Sequence, residues 1–303
     1  MLETGVQASN SILAIGEQTM THTVESQAHG TLPSYHIRGG TGVWQLRAAE
    51  LWHYRDLLYF LIWRDIKVRY KQTLLGVLWV VLQPLAIALT LSLFLGRLAK
   101  VPSDGLPYPV FAYSAMVLWQ LFSRALAGGS NSLVANERLI TKVYFPRLLA
   151  PLSAVLASLL DFLIGLIVLG VFLVYYHLTP TPALLALPLP LFGTVLAATG
   201  AGLWFSAASV KYRDVRYTVD FLLQFWFLAS PIAYPTHVVP ARWQGWYGLN
   251  PMVGIVEAFR WTLSGSGSPP VSLFLLSLTT SSLLFLSGLY YFRKTEETFA
   301  DFI

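Results

Sequence analysis

Asp161 is the first residue whose chemistry calls for an explanation, because it is the only acidic residue between Leu148 and Val210. A carboxylate inside an apolar segment is costly, so it is expected to face other helices or a wet cavity. There it either makes structural hydrogen bonds or takes part in proton-coupled transport. Proton coupling would be better supported by several buried acids or a relay, so we favour the structural role.

Charged and aromatic residues are interspersed with apolar ones in the stretch ELWHYRDLLYFLIWRDIKVRYK, residues 50–71. The apolar positions recur at helical spacing, which predicts an amphipathic helix lying along a membrane interface. Its candidate contact residues are Arg55, Asp56, Trp63, Arg64, Asp65, Lys67 and Arg69. The helix is either a membrane anchor, which its composition favours, or a docking surface for a soluble partner.

A polar stretch at residues 124–147 presents a similar choice. Its GGSNS segment is expected to break a helix, and ANERLITKVYFPR is expected to form a short helix ended by Pro146. Several apolar residues fall in this water-facing stretch, namely Leu139, Ile140, Val143, Tyr144 and Phe145. Such exposure indicates a binding partner, whereas the alternative is an ordinary connector.

Known catalytic patterns are missing from the sequence. It contains no G-x-x-x-x-G-K-[ST] phosphate loop, no HExxH and no GxSxG, and no pair of carboxylates that would share one pocket. The chain has no cysteine, which excludes disulfides, thiol catalysis and Cys-based metal sites. We therefore predict no catalytic residue, no metal site and no cofactor on this chain.

The composition indicates a membrane protein. Of 303 residues, 55% are hydrophobic and 12% are charged, and the mean hydropathy is +0.58, whereas charge in soluble domains runs near a quarter. Ten Trp and fifteen Tyr suit the boundary between hydrocarbon and headgroups. The net charge of +5 could suggest nucleic acid. The basic residues lie beside apolar runs, however, so membrane topology explains them better.

Uncharged runs of roughly 20 residues give the elements that must position these groups. They predict an all-α integral membrane protein with six spans at about 72–96, 106–124, 148–174, 183–209, 217–234 and 271–292. Pro84 is expected to kink the first span. Region 235–270 is too polar and too broken to cross fully, and is expected to dip into the membrane and return. Gly193, Ala197 and Ala201 indicate close helix packing.

The distribution of Lys and Arg predicts the topology. Six spans place both termini on one side, and that side collects fourteen Lys and Arg against four on the other, which predicts cytoplasmic termini. Residues 1–45 are polar, with no Lys or Arg before Arg38, and are expected to form a disordered cytoplasmic extension rather than a signal peptide. The interface helix occupies 46–71, the spans 72–292 and a cytoplasmic tail 293–303.

Several separated stretches resemble one family, the six-span permease subunits of ABC-2-type exporters that move O-antigen, capsular polysaccharide or teichoic acid. They are RDIKVRYKQTLLGVLWVVLQPL, ERLITKVYFPR, KYRDVRY, SPIAYP and LNPM, in this order between residues 50 and 294. Each piece is modest by itself, and their order and spacing make the resemblance specific. The long N-terminal extension departs from the family pattern.

The resemblance implies roles for the segments. Residues 46–71 would be a gate helix, and residues 236–262 would form short re-entrant helices on the outer side. Residues 131–147 would be a coupling region that docks on a separate ATPase. Its contact residues would be Asn136, Glu137, Arg138, Lys142 and Tyr144. The implied assembly is a homodimer of permeases in the bacterial inner membrane with two ATPase subunits, which carry ATP and Mg, and a lipid-linked polysaccharide passing between the permeases.

A sugar path favours aromatic linings, because aromatic faces pack on the apolar C–H faces of pyranose rings. Candidate lining residues are Tyr113, Trp119, Trp226 and Tyr234, and an interfacial aromatic belt explains them equally well. The expected function is export of an O-antigen-like glycan. Alternatives are an ABC-2 permease for another cargo such as teichoic acid, a drug or a lipid, an ion-coupled carrier, or a membrane-embedded glycosyltransferase.

Overall fold

The computed structural model describes residues 52–71, 76–265, 267–296 and 299. Within these ranges the chain folds into helices joined by turns and short loops, with no strand, which confirms the all-α membrane class. The predicted extension 1–45 lies outside the described residues, as do the beginning of the predicted gate helix at 46–51 and most of the predicted tail.

The α-helices of the described ranges are numbered in chain order. They are α1 (Arg55–Lys71), α2 (Leu78–Leu91), α3 (Tyr108–Ala135), α4 (Glu137–Lys142), α5 (Leu149–Tyr175), α6 (Pro188–Lys211), α7 (Val215–Leu228), α8 (Ala241–Tyr247), α9 (Pro251–Ser264) and α10 (Val271–Glu296). A π-helix, Ser92–Leu98, extends α2, and a 3₁₀ turn, Pro182–Ala186, precedes α6. Helix α2 is continuous through Pro84.

Helix α3 forms the centre of the bundle. It packs on both α5 and α6, α6 packs on α10, and α9 packs on α10 and α6. The other long helices expose rows of apolar side chains, such as Leu163, Ile167 and Val171 on α5. Side chains at this four-residue spacing lie on one helix face, which suits contact with lipid.

Five described helical segments are long and apolar enough to cross a membrane: Leu78–Leu98, Tyr108–Ala135, Leu149–Tyr175, Pro182–Lys211 and Val271–Glu296. The predicted span at 217–234 instead forms α7, a helix of 14 residues. Such a helix is about 21 Å long, which falls short of a hydrocarbon core of roughly 30 Å. The count of six spans is therefore not confirmed. The predicted re-entrant region contains α8 and most of α9, and its relation to the membrane stays a prediction.

The prediction that GGSNS breaks a helix is wrong, because α3 continues through this segment to Ala135. Two serine hydroxyls of this segment form hydrogen bonds within the helix, because Ser130 and Ser132 donate to carbonyls three residues earlier. A Cβ built on Gly129 would lie 3.5 Å from the Cα atom of Gly202 on α6. The glycines thus allow two helices to pack closely, and this packing outweighs their weak helix propensity.

Small residues also set the contact between α6 and α10. A Cβ on Gly200 would lie 2.6 Å from the Cα atom of Phe285, and one on Gly288 would collide with the Gly200 carbonyl. The three small residues predicted to allow close packing are packed as well, since Ala197 and Ala201 are buried and Gly193 faces Ile255. Two other glycines, Gly200 and Gly254, which these three positions do not include, also lie close to the backbone of α10.

Candidate functional site

Asp161 lies at the centre of a polar cluster that joins three helices. Its side chain on α5 is 2% exposed and accepts a hydrogen bond from Arg124 on α3 at 2.8 Å. It also accepts hydrogen bonds from Arg69 at the end of α1 and from the hydroxyl of Tyr70. We call these four residues the Asp161 cluster. Both carboxylate oxygens are engaged, which favours the structural role predicted for this acid.

The cluster is stable because its charges are complementary. Two guanidinium groups face one carboxylate, so the cost of removing that carboxylate from water is offset by ion pairing and by charge-assisted hydrogen bonds. Burial, together with the hydrogen bond to Asp161, raises the pKa of Tyr70 to about 12. Tyr70 therefore remains a neutral hydroxyl that donates to the carboxylate.

Further contacts attach α1 to the first half of α5. Leu61 on α1 is fully buried against Phe145 and Leu149. One helical turn later, the Asp65 carboxylate accepts a hydrogen bond from the hydroxyl of Ser153 at 3.3 Å. The next turn of α1 carries the residues that bind Asp161. The two helices thus run in the same direction along one another from this apolar contact to the Asp161 cluster.

Helix α1 is joined to the end of α3 as well. Arg64 donates to the Asn136 side chain at 2.6 Å and to Asp65 at 2.7 Å. Asn136 in turn donates to the carbonyl of Ser132, in the last turn of α3, at 2.7 Å. Because Asn136 is buried, its position suits an internal link between helices better than a surface contact.

Helix α4 and the residues after it divide into an inner and an outer face. Leu139, Ile140 and Phe145 pack against α1, so the prediction that they face water is wrong. Val143 and Tyr144 remain 50% and 68% exposed. The exposed residues of this segment, which we call the α4 surface, are Glu137, Arg138, Thr141, Lys142, Val143 and Tyr144. An exposed aromatic residue on a surface that also carries charged residues is typical of a protein contact.

The other gate-helix candidates point away from the bundle. Arg55 and Asp56 are exposed and lie 3.8 Å apart. Trp63 is half-exposed, with the ammonium of Lys67 5.3 Å from its ring centre. An aromatic ring beside a basic group suits a membrane interface. The face of α1 that carries these residues is thus free to contact lipid or a partner, while the opposite face holds the bundle.

The four aromatic residues predicted to line a path have different surroundings. Tyr113 and Trp119 are buried in the core of the single chain, where they contact Phe172 and Phe227 edge to face. Trp226 donates its indole N–H to the Asn250 side chain at 2.8 Å, and the hydroxyl of Tyr247 donates to that of Tyr234 at 3.1 Å. The lining role of all four stays a prediction.

Sequence reasoning missed Arg124 and Tyr70 as partners of Asp161. Arg124 was counted with a polar loop, but it lies within α3. Two charges of opposite sign in neighbouring apolar helices could have indicated the pair, since a charge within a span needs a counter-charge. Nothing in the spacing along the chain distinguishes Tyr70.

These observations define a class: an all-helical membrane protein in which an exposed segment, α4, is tied through α1 to a buried ionic cluster between the long helices. The ABC-2 type transporter family matches residues 56–264, and the chain belongs to this family. The resemblance stated from the sequence motifs is confirmed.

Individual relatives align with this chain over most of their length. An O-antigen export system permease protein, RfbA, of Klebsiella pneumoniae is 30% identical over 249 residues, or 82% of this chain and 95% of the relative. The RfbA protein of Myxococcus xanthus is 28% identical and covers 84% and 98%. The polysialic acid transport protein KpsM of Escherichia coli is 28% identical and covers 77% and 91%.

Proposed function

We propose that this chain is the transmembrane permease subunit of an ABC transporter that exports a lipid-linked polysaccharide across the bacterial cytoplasmic membrane. The observation that carries the proposal is the similarity to an O-antigen export permease at 30% identity over 95% of that relative. The described helices support it, because five of them are long enough to span a bilayer. The sequence has no phosphate loop, so the ATPase, with its ATP and Mg, would be a separate subunit.

The α4 surface is the proposed docking site of the ATPase. Its exposed charges and Tyr144 provide both orientation and an apolar anchor. A movement of this surface would pass to α1 through Leu139, Ile140 and the bond between Asn136 and Arg64. From α1 it would reach α3 and α5 through the Asp161 cluster. The contacts thus connect the site of ATP-driven force to the helices that would border the path.

The assembly would contain two copies of this permease and two ATPase subunits, with both termini in the cytoplasm. This arrangement rests on the family resemblance and on the excess of basic residues at one side of the predicted topology. The exposed apolar rows on α2 and α7 provide surface for lipid and for a second copy. A path between two copies would let the large glycan pass without opening the bundle of a single chain.

Deletion of the gene tests the function directly. We expect the lipid-linked glycan to accumulate inside the cell and to disappear from the surface, and complementation by the intact chain to restore it. Unchanged surface glycan in the deletion strain would contradict polysaccharide export. Loss of a different exported compound with normal surface glycan would instead identify a permease for another cargo.

The docking site is tested with Tyr144→Ala in the reconstituted complex. We expect the affinity for the ATPase subunit to fall about tenfold, the usual effect of truncating an exposed aromatic anchor. Tyr175→Ala is the matched control, because Tyr175 is 72% exposed at the far end of α5. Equal affinity of both variants for the ATPase would reject the α4 surface as the docking site while leaving the export function standing.

A further inference from the structure

A polar pocket lies at the opposite end of α3 from the α4 surface. It has a volume of about 190 Å³, room for several water molecules. The loop before α3 and the first turn of α3 form one wall, and α9 forms the other. The main lining residues are Asp104, Phe111, Glu257, Arg260, Trp261 and Ser268. We call this the Glu257 pocket.

Arg260 is held rigidly in the wall of the pocket. It is 4% exposed, and its guanidinium lies 3.5 Å from the centre of the Phe111 ring. Its Nε atom donates to the carbonyl of Phe111 at 3.3 Å, and one Nη atom donates to the carbonyl of Ile232 at 2.8 Å. These bonds fix the direction of the remaining Nη atom.

That remaining Nη atom and the neighbouring carboxylate are an unsatisfied pair. The Nη1 atom of Arg260 and the Oε2 atom of Glu257 are both buried and have no hydrogen-bond partner in the described part of the chain. They lie 3.9 Å apart, which is too far for a direct hydrogen bond. A buried donor and acceptor left in this state cost free energy that a bridging group would recover.

The chemistry of the pair selects a hydroxyl group. A hydroxyl oxygen placed beside the pair accepts from the guanidinium and donates to the carboxylate at the same time. Two carboxylates repel an anion, and a cation cannot accept a hydrogen bond from the unbonded nitrogen of Arg260. Asp104 adds a further acceptor and lies 3.2 Å from the imidazole of His237. The pocket therefore suits a neutral molecule with several hydroxyl groups.

Among neutral molecules with several hydroxyl groups, Trp261 favours one that contains a sugar ring. Trp261 lines the pocket, and its indole N–H is directed to the carbonyl of Gly267 at 3.4 Å, so the apolar part of the ring system remains for contact with a ligand. The C–H faces of a pyranose ring pack against aromatic rings while its hydroxyls reach the polar groups. A small polyol has the hydroxyls but lacks the ring faces.

We propose that the Glu257 pocket binds one neutral sugar unit, with a sugar hydroxyl bridging Arg260 and Glu257. The inference deepens the proposed export function and rests on it for the source of the sugar, which is the glycan after it has crossed. Phe111 and Asn136 are separated by 25 residues of α3 and its cap, or roughly 37 Å along the axis. The pocket thus lies at the membrane side away from the docking surface, where the glycan would emerge.

The experiment uses the full chain in nanodiscs and saturation-transfer NMR with methyl glycosides of galactose, mannose and N-acetylglucosamine. We expect saturable binding of at least one probe. Glu257→Gln and Ser268→Leu are each expected to weaken it at least tenfold, the first by removing the charged acceptor and the second by filling the pocket mouth. Ser272→Leu makes the same change at an exposed position just beyond the pocket and should leave binding unchanged.

Three results would overturn the assignment: no saturable binding of any probe, equal affinity in the pocket variants and the wild type, or glycerol binding as tightly as the glycosides. The last would point to a lipid-headgroup polyol site instead of a sugar site. The deletion strain keeps this test separate from the proposed function. If the intact chain restores surface glycan to the deletion strain but binds none of the sugar probes, only the pocket assignment is rejected. If deletion leaves the surface glycan unaltered, only the export function is rejected.

Discussion

Replacing Asp161 by Asn removes one buried negative charge without changing the size of the side chain. The carboxylate is 2% exposed, whereas its partners Arg69 and Arg124 are 32% and 24% exposed. The two arginines would therefore regain part of their hydration after the substitution. Breaking a fully buried ion pair costs about 3–5 kcal/mol, and an exposed pair contributes at most about 1 kcal/mol. Because Arg69 and Arg124 are partly exposed, the expected cost of Asp161→Asn lies between these two values, at about 2 kcal/mol.

The expected result is a lower melting temperature. A loss of about 2 kcal/mol corresponds to a decrease of about 4–8 °C for a domain of about 150–250 residues, and this longer chain should fall near the lower end. Thermal unfolding in detergent, followed by the intrinsic fluorescence of the ten tryptophans, measures it. Asp56→Asn is the control, since the Asp56 side chain is 95% exposed and its neighbour Arg55 is 3.8 Å away. The control should change the melting temperature by about 1 °C or less.

A second measurement separates the link to α1 from general stability. The chain has no cysteine, so Val68→Cys on the exposed face of α1 gives a single labelling site. A spin label there should become more mobile when Asp161→Asn is added, because the end of α1 loses its anchor on α5. If Asp161→Asn and Asp56→Asn have the same melting temperature and the mobility of the label is unchanged, the Asp161 cluster does not hold α1 on α5.

Three further predictions address packing, capping and titration. Gly200→Ala should cost about 1–3 kcal/mol by overpacking against α10, whereas Gly170→Ala, whose Cβ would meet no atom within 4 Å, should be neutral or stabilising in the same melting assay. Asn250→Ala should cost about 2–3 kcal/mol, because the side chain caps α9, accepts from Trp226 and donates to the Ala229 carbonyl. Asn250→Asp keeps the acceptors but places a carboxylate oxygen against that carbonyl, so it should also lower the melting temperature. The pKa of Tyr70 is raised to about 12, so folding favours its neutral form, and the stability that this form contributes is lost as pH rises from about 10 to 12. Tyr70→Phe should therefore lose less stability than the wild type over this pH range, and identical profiles of stability against pH would contradict the prediction.

Most of the helical framework could be predicted from the sequence. The predicted spans 148–174 and 271–292 correspond closely to α5 and α10, because the length of an apolar run is set by the bilayer and needs no knowledge of neighbouring helices. The prediction was weaker where polar or small residues interrupt an apolar run. Helix α3 continues past Arg124 and the GGSNS segment, since both are accommodated by contacts with α5 and α6.

The candidate site was predicted as separate parts. The charged helix α1, the α4 segment and Asp161 were each recognised from residue type, and the structure brings them into contact with one another. Their pairing joins residues about 70–90 positions apart, such as Arg64 with Asn136 and Arg69 with Asp161. Local periodicity carries no information about such distances, because it depends only on neighbours within a few turns.

An all-helical membrane protein of the ABC-2 type is recognisable from the linear chain, because hydrophobic length, charge placement and ordered motifs are properties of that chain. Which charges have hydrogen-bond partners depends instead on how the helices pack. Asp161 lies among three donors, while one nitrogen of Arg260 and one oxygen of Glu257 remain unbonded in the described chain. A hydrogen bond requires two groups within about 3 Å, and for residues distant in sequence only the packing of their helices meets this condition.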